Sequence, residues 1–298
     1  MTASSRPALG SIGDNTIDQY FGSRNQSFVG GNALNVAMQF SQLGHVTRYA
    51  GAIGPDQDGL RIRQALEGNN VATDGLVVLD GATSISKIRV MPDGERLIEF
   101  ENFAVCADYK PDSRELDALA GCAFVHIGMS PFADELRKEL SHRGVRISQD
   151  CAVSTGFDLL DVAFCSAGVD LDAARAMAES AIDGGARLAV VTRGPAGSIA
   201  FDGAAWTHQP ADPIEPVDTT GAGDSFIAGF IAALARGQEL RSCMQAGAAT
   251  AAKTCLHWGG WAQEGAIMET PRSGPSIAAK PVRTTHGPPQ FKTQPQHT

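Results

Sequence analysis

Long apolar runs, basic clusters and a leader-like start are missing from this chain of 298 residues. No run approaches the roughly 20 apolar residues of a membrane span, and residues 1–10 lack the apolar centre of a signal peptide. Lys and Arg number 24 against 33 Asp and Glu, which gives a net charge of −9. These features predict a cytoplasmic protein that binds neither nucleic acid nor an anionic membrane.

Several catalytic and metal-binding motifs are also missing. The six cysteines are scattered without a Cys-x-x-Cys pair, so we interpret them as reduced core residues. The sequence has no G-x-x-x-x-G-K-[ST] loop, no protein-kinase motif set and no G-x-S-x-G elbow. P-loop enzymes, protein kinases and α/β-hydrolases are therefore excluded.

One stretch at residues 218–226, DTTGAGDSF, carries the strongest chemical signal. Apolar residues at helical spacing follow it, so a helix begins there. Gly221, Ala222 and Gly223 let a ligand approach the backbone, and the first N–H groups of a helix favour an anion. Asp224 is then either an N-cap or a base that takes a proton from a hydroxyl attacking a phosphoryl group.

A second polar group follows the first predicted strand, Leu9–Ile12. Asp14 lies just beyond the carboxyl end of that strand, where ligands bind in open α/β sheets. Asp14 is therefore either a ligand-binding residue or a loop or capping aspartate, and its position favours neither. Gly31, Asn32 and Asn35 open the next helix, and they are either ligand-binding groups or an ordinary helix start.

Strand and helix patterns alternate from residue 116 to residue 193. The short apolar runs are typical of strands buried on both faces of a parallel sheet. The chain is therefore predicted to be α/β, with a mostly parallel central sheet and helices on both faces. Thr192, Gly194 and Gly197 end one of these strands, in either a nucleotide-binding turn or a simple hairpin turn.

Two further segments stand apart from this rhythm. Residues 84–100 read as a hairpin around Pro92-Asp93-Gly94, which is either a lid over a site or an edge hairpin. Residues 262–298 are rich in Pro, Ser, Thr and Gln, which predicts a disordered tail. The aromatic rings of Trp258 and Trp261 suit stacking on a nucleotide base, although core packing is the more common use of tryptophan.

Together these motifs resemble the ribokinase-like (PfkB) family of carbohydrate kinases. DTTGAGDSFIAGF and GGNALNVAMQFSQLG carry the resemblance, which spans residues 9–261 as one sugar kinase domain with a small β lid. Within the family the chain is most similar to kinases of fructosamines such as fructoselysine. The stretches IGDNTIDQY, FVGGNALNVA and AAKTCLHWGGW carry that closer match.

The resemblance implies a role for each matching residue. Asp224 would be the general base, and the backbone at Gly221, Ala222, Gly223 and Asp224 the anion hole for the γ-phosphoryl group. The sugar would be held by Asp14, Gly31, Asn32 and Asn35. The nucleotide would lie on Thr192, Gly194, Gly197, Gly221 and Gly223. Helix 249–254 and the turn after it would lie beside the adenine.

Cofactors and assembly also follow from the resemblance. ATP would come with Mg²⁺, and Asp218 and Thr220 match a loop that holds a monovalent cation, K⁺, in many members. The usual Asn-x-x-Glu motif is absent after residue 165, and Asp170 would replace its glutamate in organising magnesium. A homodimer would form through the lid.

The expected function is ATP-dependent phosphorylation of the 6-hydroxyl of a fructosamine. Glu99 and Glu101 on the lid are expected to face the substrate amine. Phosphorylation of ribose, fructose, a keto-deoxy acid or a nucleoside is an alternative. A non-catalytic sugar or nucleotide sensor is a third hypothesis, for which the missing magnesium motif is the only support.

Overall fold

A computed structural model describes residues 6–91 and 96–268. Its strands follow the short apolar and alternating runs of the sequence: β1 (Leu9–Ile12), β2 (Thr16–Gly22), β3 (Gln26–Gly30), β4 (Thr47–Ile53), β5 (Val71–Val78), β6 (Ile85–Val90), β7 (Arg96–Asn102), β8 (Phe124–Ile127), β9 (Arg146–Asp150), β10 (Val162–Ser166), β11 (Ala189–Thr192), β12 (Ser198–Phe201), β13 (Trp206–Gln209) and β14 (Ala266–Ile267). Its helices are α1 (Asn32–Gln42), α2 (Gln57–Gly68), α3 (Ala104–Asp108), α4 (Ser113–Ala120), α5 (Ala133–His142), α6 (Leu171–Asp183), α7 (Ala222–Ala235) and α8 (Leu240–Thr254).

Nine strands form the central sheet, in the order β13-β12-β11-β10-β9-β8-β1-β4-β5. The pairs from β11 through β5 are parallel, and only β11–β12 and β12–β13 are antiparallel. The predicted α/β class with a mostly parallel sheet is therefore confirmed. Since β1 lies between β8 and β4, its carboxyl end is the switch point at which such sheets bind ligands.

Helices cover both faces of this sheet. One core lies under α3, α4, α5 and α6, and a second lies under α1, α7 and α8. Helix α7 is buried on nearly every side because its residues are almost all apolar. It approaches α8 closely: a Cβ at Gly229 would lie 2.5 Å from the carbonyl oxygen of Ala246. Among the described residues no helix is long and apolar enough to cross a membrane.

A second sheet of five strands, in the order β14-β3-β2-β6-β7, covers the cleft at the end of β1. The predicted hairpin is its β6–β7 part, although residues 92–95 of the turn lie outside the described residues. Strands β2 and β3 were missed because each is short and mixes polar with apolar residues, so neither is a continuous apolar run like those of the central sheet. We call this sheet the lid sheet.

The predicted tail begins too early. Ala266 and Ile267 form β14 and pair with Ser27 and Gln26 of β3, and the side chain of Gln263 exchanges hydrogen bonds with the Val29 backbone. A neighbouring strand edge thus orders a segment whose composition predicts disorder. The remainder of the predicted tail, from residue 269, lies outside the described residues.

Candidate active site

Asp224 lies in the first turn of α7, at the floor of the cleft between the two sheets. Its carboxylate is 8% exposed and accepts one hydrogen bond from the Nδ2 of Asn32 and one from the Nδ2 of Asn35, each at 2.7 Å. Asn32 donates its other amide hydrogen to Asp150 at 2.7 Å. Two asparagines expected to bind sugar thus hold the predicted base in position.

The pKa of Asp224 is raised well above its ordinary value. Burial is the main cause, and the charges of Asp150, Asp14 and Asp18 raise it further, against the opposing hydrogen bond from Asn35. Raising the pKa of a carboxylate makes its ionised form a stronger base. The geometry and the pKa of Asp224 both suit a general base, not a helix cap.

The backbone beside Asp224 forms only part of the predicted anion hole. The N–H of Ala222 donates to the carbonyl of Thr219 at 3.2 Å, so it is already occupied. The N–H groups of Gly223 and Asp224 have no acceptor among the described residues. A Cβ at Gly223 would meet nothing within 4 Å, so the ligand side of this turn is open.

Gly221 serves the turn in a different way. Its φ of 72° is left-handed, and a Cβ there would lie 2.4 Å from the Cα of Gly260. Glycine is required for both reasons. This residue therefore shapes the loop so that the free N–H groups of its neighbours face the cleft.

Asp14 and Gly31 hold the framework of the sugar side. The Asp14 carboxylate accepts from the backbone N–H groups of Asn32, Ala33 and Met129 at 2.7–3.2 Å. These contacts agree with the alternative interpretation of Asp14 as a capping aspartate. Gly31 has a φ of 107°, and a Cβ there would lie 2.4 Å from the Cα of Asn15. Both residues fix where α1 begins, and hence where Asn32 points.

Two carboxylates in the cleft were missed from the sequence. Asp150 ends β9, and burial together with Asp14 raises its pKa to about 6. Asp18 lies on β2, and burial together with Asp14, Glu101 and Asp218 raises its pKa to about 8. The alternation of Thr16, Asp18 and Tyr20 was the available signal, since such residues share one face of a strand.

A cavity of about 720 Å³ adjoins the base on the side of the central sheet. Four of the five predicted nucleotide residues line it: Thr192, Gly194, Gly197 and Gly223. The fifth, Gly221, does not. Its other walls come mainly from small and apolar residues of the 210–216 loop, α7 and α8, among them Pro210, Ile214, Phe226, Ala251, Ala252 and Cys255. The 210–216 loop carries no motif that the sequence alone would have marked.

The residues predicted to hold metals make other contacts. The fully buried carboxylate of Asp218 accepts from the hydroxyl of Tyr20 and from the N–H groups of Thr220 and Gly259, at 2.9–3.0 Å. The hydroxyls of Thr220 and Tyr20 are 2.8 Å apart. The Asp218 and Thr220 side chains thus already have protein partners, and cation binding at these two residues stays a prediction.

Asp170 caps α6 instead of facing the cleft. Its carboxylate accepts from the N–H groups of Asp172 and Ala173 at 2.9 and 3.1 Å, and it does not line the cavity. The geometry gives no support to its predicted role with magnesium. The tryptophans serve packing: Trp258 stands edge-on to Tyr20, and Trp261 donates to the Val29 carbonyl.

Comparison with known proteins agrees with this architecture. The chain matches the pfkB family of carbohydrate kinases over residues 19–143 and 157–263. It is 32% identical to fructoselysine 6-kinase of Escherichia coli (strain K12) over 260 residues, which cover 85% of this chain and 99% of that protein. It is 30% identical to a fructosamine kinase of Bacillus subtilis (strain 168), covering 83% and 90% of the two chains.

The fold has solved counterparts as well. Arabidopsis thaliana ribokinase, complexed with ribose and ATP, superposes with a TM-score of 0.76 at 21% identity, over 85% of this chain and 94% of that one. This likeness shows a ribokinase-like fold. The match of the family over most of the length, with the 32% identity to fructoselysine 6-kinase, establishes that the chain belongs to the pfkB family of carbohydrate kinases.

Proposed function

We propose that this kinase transfers the γ-phosphoryl group of ATP to the 6-hydroxyl of a fructosamine such as fructoselysine. The observation that carries the transfer is the position of Asp224. Its carboxylate lies beside two free backbone N–H groups, where the 720 Å³ cavity meets the carboxylate-lined cleft. The relatives named for fructoselysine and fructosamine support the substrate class.

Each part of this site has one step to perform. Asp224 accepts the proton of the attacking hydroxyl, while Asn32 and Asn35 keep both carboxylate oxygens in place. The N–H groups of Gly223 and Asp224, at the positive end of α7, stabilise charge on the transferring phosphoryl group. Because phosphoryl transfer depends on positioning and charge stabilisation, these groups supply the protein's part of the chemistry.

Magnesium would accompany ATP, and Asp150 is the carboxylate placed to receive it. Asp150 lines the same cavity as Gly223, whose N–H group is proposed to face the phosphoryl group. Each of its oxygens accepts one hydrogen bond, from Ala152 and from Asn32, which leaves lone pairs free. No cluster of three or more His, Cys, Asp or Glu suited to a metal occurs in the described ranges, and Mg²⁺ commonly relies on phosphates and water.

The sugar side of the cleft supports an amine-bearing substrate. In the register of the lid sheet, Asp18 of β2 pairs with Ser86 of β6, which pairs with Glu101 of β7. The two acids therefore share the face that covers the cleft. Glu101 is exposed to solvent as a residue, yet partial desolvation and the charge of Asp14 raise its pKa, and the pKa of Asp18 is raised in turn by Glu101. An ammonium group would relieve this repulsion.

Glu99 does not share that face, although it is only two residues from Glu101. The pairing of β6 with β7 shifts between Lys87 and Ile88, so Glu99 is the extra residue of a β-bulge. Its carboxylate pairs with Arg89, with 3.0 Å between Nη2 and Oε2, and this contact lowers its pKa. We therefore assign amine recognition to Glu101 together with Asp18, and not to Glu99.

A substrate screen that monitors ADP release tests this proposal. We expect kcat/KM to be higher for fructoselysine than for fructose, which lacks the amine. Glu101→Gln should lower kcat/KM for fructoselysine about tenfold and leave that for fructose unchanged, a loss of about 1.4 kcal/mol. Glu99→Gln is the matched control and should behave as the wild type.

Two outcomes of the screen would be decisive against it. A wild-type enzyme that phosphorylates fructose or a nucleoside but no fructosamine would overturn the substrate class. Equal losses in the two glutamate variants, or equal losses on both sugars, would overturn the role of Glu101 alone.

We also propose that two copies associate through the lid sheet and that the enzyme works in the cytoplasm. Strand β7 is an edge strand, and Leu97, Ile98 and Phe100 on it are 46–50% exposed. Exposed apolar edge strands are typical partners for pairing. Free thiols at all six cysteines support a reducing compartment. Leu97→Asp should convert a dimer to a monomer in analytical ultracentrifugation, and a wild-type monomer would contradict the assembly.

A further inference from the structure

A positively charged side chain of the protein, that of Arg96, contacts the loop at residues 217–219, which precedes the anion hole. Arg96, the first residue of β7, places its Nε 2.8 Å from the Oδ1 of Asp218. Its Nη2 donates to the carbonyl of Val217 at 2.6 Å, and its Nη1 reaches the Oγ1 of Thr219 at 3.4 Å. One guanidinium thus contacts three consecutive residues of the loop.

Few oxygen atoms in this loop are left for a metal ion. Asp218 accepts three hydrogen bonds, from Tyr20, Thr220 and Gly259. The Arg96 guanidinium lies against its Oδ1 as an ion pair without hydrogen-bond geometry, and so occupies the space beside that oxygen. The carbonyl of Cys255 accepts the N–H groups of residues 217 and 218, and the carbonyl of Thr219 accepts that of residue 222. A monovalent cation needs such oxygens free to replace its water.

The charge of the buried carboxylate is also already balanced. Asp218 is fully buried, and a buried carboxylate is costly unless a positive group faces it. Arg96 supplies that charge with its side chain 17% exposed. Arg24 is a second cation nearby: its guanidinium lies 4.0 Å from the Trp258 ring and interacts with the charge of Asp218. A further cation would be repelled by both arginines.

We propose that Arg96 takes the place of the monovalent cation expected at Asp218 and Thr220, so that this kinase does not require K⁺. Because Arg96 belongs to the lid sheet and contacts the loop just before Gly221, it also connects the lid to the anion hole. Arg96 is a positioning residue: it holds the backbone from which the N–H groups of residues 223 and 224 project.

The first test needs only the wild-type enzyme. With any sugar that it phosphorylates, kcat should differ less than about twofold between KCl and choline chloride at equal ionic strength. The midpoint of thermal unfolding without substrates should also be the same in the two salts. A rise of about tenfold in kcat with K⁺, or a clear stabilisation by K⁺ alone, would overturn the proposal.

The second test removes the guanidinium. Arg96→Met should lower kcat about tenfold or more while the KM for sugar changes little, because the loop and not the sugar loses its support. K⁺ should now raise kcat and the unfolding midpoint of this variant, and Arg96→Lys should retain more activity. Arg89→Met is the matched control, since Arg89 is an exposed lid arginine paired with Glu99.

The two variants distinguish positioning from mere stability. If Arg96→Met and Arg89→Met have the same kcat, the assigned role is wrong. If Arg96→Met fails to fold, Arg96→Lys and the wild-type response to K⁺ still decide, because a K⁺-dependent wild type contradicts the proposal without any variant.

Discussion

The two ends of the cleft are lined by different kinds of residue. The nucleotide end is a cavity of about 720 Å³ walled mostly by glycine, alanine, proline and apolar side chains. The sugar end gathers the carboxylates of Asp14, Asp18, Glu101 and Asp224, and Asp150 lies where this end meets the cavity. Each of the five has a raised pKa. One end selects by shape and backbone contact, and the other by charge.

This difference explains how one site suits two unlike ligands. Polyphosphate carries its own negative charge, so it needs free N–H groups and a helix N-terminus. A sugar amine needs carboxylates, and their crowding is costly until a cation or a proton arrives. Asn32 stands at the boundary, where its amide donates to both Asp150 and Asp224.

The largest expected effect on activity comes from removing Asp224, the base at the boundary between the two ends. Asp224→Asn should lower kcat roughly 10²–10⁴-fold, because the hydroxyl loses its proton acceptor, while nucleotide and sugar still bind. ADP release and calorimetric titration measure the two effects separately. Asp170→Asn, which removes a carboxylate outside the cavity, is the control. Unchanged turnover in Asp224→Asn would eliminate the assigned base.

Two neighbouring glycines should separate ligand space from backbone conformation. Gly223→Ala should lower kcat/KM for ATP about tenfold or more and leave the unfolding midpoint unchanged, because its Cβ enters only open space. Gly221→Ala should lower the unfolding midpoint by several degrees, since its φ of 72° and the contact with Gly260 exclude a Cβ. Kinetics and thermal melts on both variants check this contrast. Equal loss of stability in both would contradict it.

The acidic limb of the pH profile of kcat/KM should reveal the raised pKa of the carboxylates that crowd the cleft. Activity requires ionised Asp224, so a raised pKa means that kcat/KM is lost as pH falls through that raised value. We expect a tenfold loss per pH unit below an apparent pKa that lies well above the ordinary carboxylate value near 4.

Asp150→Asn sharpens that measurement. It removes a negative neighbour of Asp224 and should move the limb to lower pH. Asp170→Asn should leave it in place. A wild-type limb near pH 4, or no shift in Asp150→Asn, would contradict the assigned repulsion.

The smallest expected effect is on stability. The pKa of Asp18 is about 8 when folded and 3.8 in its ordinary state, so the folded protein binds its proton more tightly. Stability should therefore fall as pH rises from about 4 to about 8. Asp18→Asn removes this cost, and its unfolding midpoint should exceed that of the wild type by a few degrees at pH 8 but not at pH 4. An equal difference at both pH values would contradict the cause.

Glu99 and Glu101 show where sequence reasoning stops. Two residues apart on a regular strand, they would share a face, and the expectation that both meet the substrate follows from that rule. The bulge at residues 87–88 of the pairing breaks the rule. Its position depends on how β6 and β7 align, which no local pattern in either strand specifies.

The nucleotide end was the more predictable half. Glycines at 194, 197, 221 and 223 mark places where backbone must bend or be approached, and that need is local to a few residues. The α/β rhythm was predictable for the same reason, since each apolar run reports its own burial. By contrast, the acids of the lid sheet and the 210–216 loop join the site only after distant segments pack.

What the sequence by itself determined is therefore the set of local conformations: the alternating strands and helices, the glycine turns, and a carboxylate at the start of α7. Only the tertiary structure decided which groups meet. Asn32 reaches Asp224 across 192 positions, and Arg96 reaches Asp218 across more than a hundred. Such contacts depend on strand order, register and sheet packing, because these place residues together that have no proximity along the chain.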